Sequence, residues 1–442
     1  MIRLIAAIVL AAALPLSAQA ENLLQVYRDA RAYDAQYAAA RFALQAGQEK
    51  LPQGKALLLP TIGLSANVTE TRFELNSDNT ALLPDASRNF RSNGYALNLS
   101  QPIYRKQNFL QYDEAGYQVR QAEASFGQAA QDLIVRTAQA YFDVLAAQDT
   151  LTLVGAQKAA ISEQLAQAKR NFEVGTATIT DTHEAQARYD LVVAQEIAAR
   201  NDLDNKKSAL QQLTGKEYTG LATLRKSVKL SLPNPNDAES WVDLAEKQSY
   251  PVQIQQATTE IANLEMKRNA AGHYPTLDLV ASYGQTDQTG TTLTSVGSNT
   301  NQTAVGLQLA LPLYQGGAIS SREREAAANY EQARQNLENA KRGAALAARQ
   351  AYLGVVNGVA QVGALEQALV SSQSALDSNK LGYEVGVRIN IDVLNAQQQL
   401  YSTERDLAVA RYNTITTQLK LKAAAGSLRE QDLEQVNLAL AP

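Results

Sequence analysis

The sequence reads as a mixed, mainly helical protein: an internally duplicated chain of long coiled-coil helical hairpins that also carries four amphipathic β-strands. Three observations predict this. Short motifs recur at one fixed spacing, two proline-free stretches of nearly seventy residues dominate the chain, and each copy holds a pair of alternating apolar and polar runs.

The chain opens with an export signal. Arg3 gives a positive start, Leu4 to Leu16 form an apolar run broken only by Pro15, and Ser17-Ala18-Gln19-Ala20 ends in an A-x-A-like site. Residues 1–20 are therefore expected to be a cleaved signal peptide, because the run is too short to span a bilayer comfortably. No other stretch approaches about 18 consecutive apolar residues, which excludes a bundle of membrane helices and leaves a periplasmic, secreted or β-barrel protein. There is no cysteine, so neither a disulfide nor N-terminal lipid attachment is possible. The formal net charge of −4 is mixed in sign, with no basic block interleaved with aromatics, and argues against a nucleic-acid partner. Abundant Ala, Gln, Leu and Asn with few aromatics suit narrow helices packed through small residues better than a deep globular core.

The repeat sets the organisation. Phe172-Glu173-Val174-Gly175 returns as Tyr383-Glu384-Val385-Gly386, an offset of 211. The same offset relates Ala140-Tyr141 to Ala351-Tyr352, Asp181 to Asp392, Ala185-Gln186 to Ala396-Gln397 and Gly215 to Gly426. A first structural repeat is assigned to 21–227 and a second to 228–442. Each begins with a helical segment, about 22–52 or 235–272. Strands are expected within about 60–104 and 275–314, where Ile62, Leu64, Ala66 and Val68 alternate with Gly63, Ser65, Asn67 and Thr69, and where Leu277, Leu279, Ala281 and Tyr283 repeat the pattern. Polar loops at about 72–91 and 287–301 join the strands of each pair. Four strands cannot close a barrel, for which about eight is the practical minimum, whereas three chains would supply twelve.

Hairpins follow at about 106–213 and 317–424, each a long helix, a Val-Gly turn and a return helix, with a C-terminal tail after the second. At 1.5 Å per residue the long helices reach on the order of 100 Å. Ile134, Ala138, Tyr141 and Leu145, and then Ile161, Leu165, Ala168 and Phe172, keep the 4-3-4 spacing of a coiled-coil seam.

The start Glu21-Asn22-Leu23-Leu24-Gln25-Val26-Tyr27, the strand entry Leu58-Leu59-Pro60, the stretch Leu311-Pro312-Leu313-Tyr314-Gln315-Gly316-Gly317 and the paired Val-Gly turns resemble the TolC family over essentially the whole mature chain. That resemblance implies a homotrimeric exit duct of a tripartite efflux pump or a type I secretion system. It implies a twelve-stranded barrel in outer-membrane lipid, a helical barrel crossing the periplasm, and an equatorial belt from about 217–250 and the C-terminal tail. Its partners would be a periplasmic adaptor, met at the hairpin turns Val174, Gly175, Val385 and Gly386, and an inner-membrane pump or ABC transporter.

The turns are expected at the periplasmic tip, one long helix from the strand loops. There the two halves differ: Phe172 and Ala177 stand opposite Tyr383 and Arg388. Asp181 is expected to pair with Arg388 and Tyr383 as a latch that holds the two hairpin types closed. The competing reading makes Asp181, with Glu184 three residues on, a helix N-cap, and Asp392 with Asn395 another helix start. The two roles are compatible. The resemblance also gives Asp392 a place in a cation-attracting ring at the entrance. Asn395 holds the second position of that ring, so a trimer presents three carboxylates instead of six. No catalytic group, metal site or cofactor motif is identified: the only histidines, His183 and His273, are 90 residues apart in the sequence. The rival is a periplasmic coiled-coil adaptor, which has helical hairpins but no need of duplicated amphipathic strand pairs.

Overall fold

A computed structural model describes residues 21–78, 85–225 and 228–441. The expected signal peptide lies outside the described residues, as does part of the first strand loop. The first half runs α1 (Leu23–Tyr33), α2 (Ala35–Gln48), α3 (Lys50–Ala56), β1 (Thr61–Leu75), β2 (Ala86–Tyr104), α4 (Lys106–Glu173) and α5 (Ile179–Thr214). The second runs α6 (Ala238–Gln248), α7 (Tyr250–Ala270), β3 (Thr276–Gln288), β4 (Ser298–Ala310), α8 (Ala318–Glu384) and α9 (Asn390–Ala424), then adds α10 (Glu430–Leu438). Both halves run from entry helices through a strand pair to a long helix and a return helix, with three α-helices before β1 and two before β3.

The helical entry segments are broken rather than continuous. Asp34 ends α1 by donating its backbone N–H to Ala30 O and caps α2 by accepting the Tyr37 N–H at 2.6 Å. Ser249 is extended, ahead of Pro251 in the first turn of α7. The strand loops are also shorter than expected. Leu75 and Ala86 still pair, and so do Gln288 and Ser298. The apolar alternation fades along these arms, but Arg72↔Asn89 and Glu74↔Ser87 stay in register. Backbone hydrogen bonds hold a ladder whatever the polarity of its side chains.

The strands form one antiparallel sheet in the order β1-β2-β3-β4, with Thr61 opposite Ser100, Leu99 opposite Ala281 and Thr276 opposite Ala310. β1 and β4 are therefore open edges. Ile62, Leu64 and Val68 on β1 and Val305, Leu307 and Leu309 on β4 are exposed. A contiguous apolar surface of this kind marks a contact with lipid or protein.

Two compact units draw on both repeats. One takes the chain up to Arg41 together with Phe126–Val252 and the residues from Lys341 on; the other is Phe42–Ser125 with Gln253–Ala340. In the first, Leu23, Val26, Tyr27 and Ala30 of α1 pack with Ile134, Tyr141, Phe142 and Leu145 of α4, Leu210 of α5 and Tyr412 and Ile415 of α9. Phe142 stacks on Tyr412 at a centroid distance of 5.5 Å. The Tyr141 hydroxyl donates to Ala222 O at 2.7 Å, and the bridges Glu21↔Leu221 and Leu224↔Leu440 tie the residues before α1 and after α10 to the segment after α5. In the second unit, Gly47 and Gly54 lie so close to Ala122 and Ala115 that a Cβ on either glycine would clash. Arg105, just past β2, donates through Nε to Asp278 of β3 at 2.7 Å.

The long helices stand as the spacing predicts, 68 residues in α4 and 67 in α8. Ile134, Ala138, Tyr141 and Leu145 are buried, as are Ile161, Leu165 and Ala168. Phe172 is not: it is 44% exposed. The seam ends one turn earlier than the pattern suggests, because α4 closes at Glu173 and no further turn exists to cover that ring.

Candidate functional site

The hairpin tips are built by one backbone device used twice. In α4, Thr176 N–H donates to Asn171 O at 2.8 Å and Gly175 N–H to Phe172 O at 3.0 Å. In α8, Val387 N–H donates to Gly382 O at 2.8 Å and Gly386 N–H to Tyr383 O at 3.1 Å. This pair of bonds is the Schellman closure, which needs a left-handed residue just past the helix. Gly175 at φ +76° and Gly386 at φ +79° supply it. Val174 and Val385 are thereby left exposed at the tips, joined on the second turn by Val387 and Ile389.

The return helices start differently from the sequence reading. Thr178, not Asp181, is the N-cap of α5, and Asp181 is its third residue. Asp181 Oδ2 accepts the Thr178 N–H at 3.0 Å and the Thr178 hydroxyl at 2.9 Å, while Thr178 Oγ1 accepts the Asp181 N–H at 3.3 Å. Glu184 is not the capping-box partner; Asp181 is. In α9 the N-cap is Ile389, which has no side-chain acceptor, and Asp392 lies in the first turn. A carboxylate there is favoured by the helix dipole.

Asp181, Tyr383 and Arg388 do not meet within one chain. Arg388 Nη1 lies 3.7 Å from Asp392 Oδ2, with side chains 58% and 34% exposed, a loose surface pair. The Tyr383 hydroxyl instead accepts from Asn171 Nδ2 of the other hairpin at 3.2 Å. Asp181 Oδ1 has no partner among the described residues. Asn171 was not legible as a site residue, yet its counterpart 211 residues on is Gly382. A Cβ on Gly382 would stand 2.6 Å from Arg388 Cγ, so the glycine makes room for the arginine stem. The broken repeat thus yields two matched pairs, Asn171 with Tyr383 and Gly382 with Arg388.

A second link joins the hairpins. Arg188 of α5 donates through Nη2 to Asn395 Oδ1 at 2.8 Å and through Nη1 to Gln398 Oε1 at 2.6 Å. Below it Leu394 and Ile391 of α9 pack on Ile161, Leu165, Ala168, Ala185 and Val192. Among the described residues no cluster of three His, Cys, Asp or Glu side chains is placed to hold a metal. The groups at the tips are hydrogen-bond donors, carboxylates and exposed valines, a set suited to reversible association.

The family model for the outer membrane efflux protein matches residues 26–216 and 241–427, one match per repeat. The chain is 36% identical over 426 residues to the outer membrane protein TolC of Vibrio cholerae, covering 95% of this chain and 94% of that one. It is 33% identical over 431 residues to the proteases secretion protein PrtF of Dickeya chrysanthemi, covering 95% and 91%. The Campylobacter jejuni outer membrane channel CmeC has the same fold, with a TM-score of 0.80 over 95% of this chain and 90% of that one, at 17% identity. With both repeats matched and near-full-length relatives above 30% identity, the chain belongs to the outer membrane efflux protein family, the TolC-like channels of the outer membrane.

Proposed function

We propose that three copies of the chain form the exit duct of a tripartite efflux pump or type I secretion system, with a twelve-stranded barrel in outer-membrane lipid and a helical tunnel through the periplasm. The observation that carries this reading is the four-stranded sheet: both edges are unpaired and apolar side chains face outward along β1 and β4. Such a sheet needs further copies to close, three copies giving twelve strands, and its apolar outer face suits lipid. A periplasmic adaptor would seat on the exposed tips, with Val174 and Val385 held out by Gly175 and Gly386. An inner-membrane pump or ABC transporter would supply the energy. The protease-secretion name of one relative supports the export of proteins; the efflux family match supports small molecules equally.

The tip is the gate in this reading. Asp181 spends one carboxylate oxygen on its capping box, and the other remains for a neighbouring copy. Arg388, loosely held by Asp392, is the donor that would reach it, with Tyr383 beside it. Each such link is worth only about 0–1 kcal/mol, so an adaptor is able to break the set. Asp392 contributes three carboxylates to the entrance while Asn395 contributes none.

The test is electrical and cellular. Arg388→Ser and Asp181→Ala should each raise single-channel conductance in planar bilayers and sensitise cells to large antibiotics; unchanged conductance in both removes the latch. The adaptor alternative is tested by fractionation, because a barrel partitions with the outer membrane and an adaptor does not.

A further inference from the structure

We propose that Arg188 tunes the charge of the entrance, so that the mouth of this duct holds multivalent cations more weakly than its carboxylates alone would. The inference rests on the duct reading above, and it goes further by naming a residue that tunes which ions the mouth accepts.

Arg188 spans from α5 to α9 and commits both arms of its guanidinium, to Asn395 Oδ1 at 2.8 Å and to Gln398 Oε1 at 2.6 Å. Both acceptors are neutral amides. Among the described residues no carboxylate pairs with this guanidinium, so its positive charge stays whole. Asn395 lies one helical turn after Asp392 and Gln398 one turn further, so the three share a stripe of α9. Arg388 approaches Asp392 from the preceding turn at 3.7 Å.

Along that stripe, then, one carboxylate faces two guanidiniums. In three copies Arg188 would add three positive charges beside the carboxylates of Asp392, Asp181 and Glu184. A mouth lined by one sign of net charge concentrates ions of the other sign. An aspartate at 395 would turn the Arg188 contact into an ion pair and cancel it; asparagine binds the same group and leaves its charge in place. The sequence difference at Asn395 therefore does more than halve the number of carboxylates. It provides the seat for a cation.

The fork has a second consequence. It ties the two hairpins of one chain through two parallel hydrogen bonds, a geometry that a lysine ammonium does not reproduce. Charge and tether are therefore separable by substitution.

The experiment uses the purified full-length protein in planar bilayers, reading reversal potential in a KCl gradient and block by hexaamminecobalt(III) chloride added at the periplasmic side. Arg188→Gln should move the reversal potential toward cation selectivity and tighten block by about tenfold, since three positive charges leave the ring. Arg188→Lys should keep the wild-type selectivity and block while raising conductance, because the charge stays and the fork is lost. Arg188→Gln behaving as wild type, or Arg188→Lys matching Arg188→Gln in selectivity, overturns the proposal. A wild type that forms no pores overturns the duct reading and this inference with it; wild-type pores with an unaltered Arg188→Gln overturn this inference alone.

Discussion

Asp34 sits between α1 and α2, where its carboxylate accepts three hydrogen bonds. One comes from the Tyr37 N–H at 2.6 Å, and two come from Arg136 Nη1 and Nη2 at 3.0 and 3.1 Å. Burial alone would raise its pKa, but the Arg136 and Tyr37 donors outweigh burial and hold it below the usual carboxylate value of 3.8. Asp34→Ala removes a helix cap and leaves Arg136 half-buried with only Asp132, at a cost of about 2–4 kcal/mol to be read from thermal unfolding by circular dichroism in detergent. The sign with pH follows from the lowered value: the charge contributes fully above pH 3.8 and is lost as pH falls through the folded-state pKa. The stability gap between wild type and Asp34→Asn should therefore narrow below about pH 4; a gap that stays constant would mean the charge contributes nothing. Asp149 runs the other way. Burial raises its pKa, and the Tyr412 hydroxyl, donating at 2.7 Å, offsets this only in part. Its ionised form is thus less favoured in the fold than in the unfolded chain. Asp149→Asn keeps an acceptor for Tyr412 and should be at least as stable as wild type at pH 7, with the advantage vanishing in acid. A variant less stable at every pH would show that Tyr412 needs the charge.

The two hairpins make a controlled comparison, because their turns have the same backbone bonds and differ in side chains. A Cβ at Gly175 or Gly386 meets nothing within 4 Å, so alanine there is opposed only by the left-handed backbone. Each substitution should cost about 1–2 kcal/mol, and by similar amounts. The loss should show as faster hydrogen exchange in the last turn of the outgoing helix and the first turn of the return helix, with the buried seam around Tyr141 unchanged. Protection lost equally along the whole hairpin would mean that the tip is not an independent element. Gly382→Ala should act differently. Its backbone is helical, but the new methyl group displaces Arg388, so conductance should rise as in Arg388→Ser. This contrast also explains what the sequence disclosed. Seams, turns and strand pairs were legible because each is periodic or local. The cap was misread because Asp181 and Glu184 imitate the pattern that Thr178 and Asp181 actually form. Asn171 and Arg188 were missed because their partners lie 207 to 212 residues away, where no spacing rule reaches. Asn171 left one trace, its replacement by Gly382 at the 211-residue offset.

At the level of the proposed duct, one chain leaves its sheet with two open edges, and the side-chain alternation predicts which face would meet lipid. On β4, Val305, Leu307 and Leu309 share one face while Gly306 and Gln308 share the other, and the strand is exposed along its length in a single chain. If three copies close a barrel, the leucine face meets hydrocarbon and the Gln308 face meets the lumen. A soluble sheet with one solvated face also alternates, but its leucine face would meet protein instead of hydrocarbon. Leu307→Lys should therefore cost about 2–4 kcal/mol if it lies near the bilayer midplane. It should appear as loss of heat-resistant trimer from the outer-membrane fraction. Gln308→Lys, one residue along and of the same charge, should assemble at near wild-type yield and shift only ion selectivity. Native mass spectrometry of the Gln308→Lys variant should give three chains per particle, since edges β1 and β4 are left intact. Equal tolerance of both lysines would place the strand outside lipid and remove the barrel. Equal intolerance would mean that both faces are packed against protein, and the sheet would then be half of a sandwich rather than a third of a membrane wall.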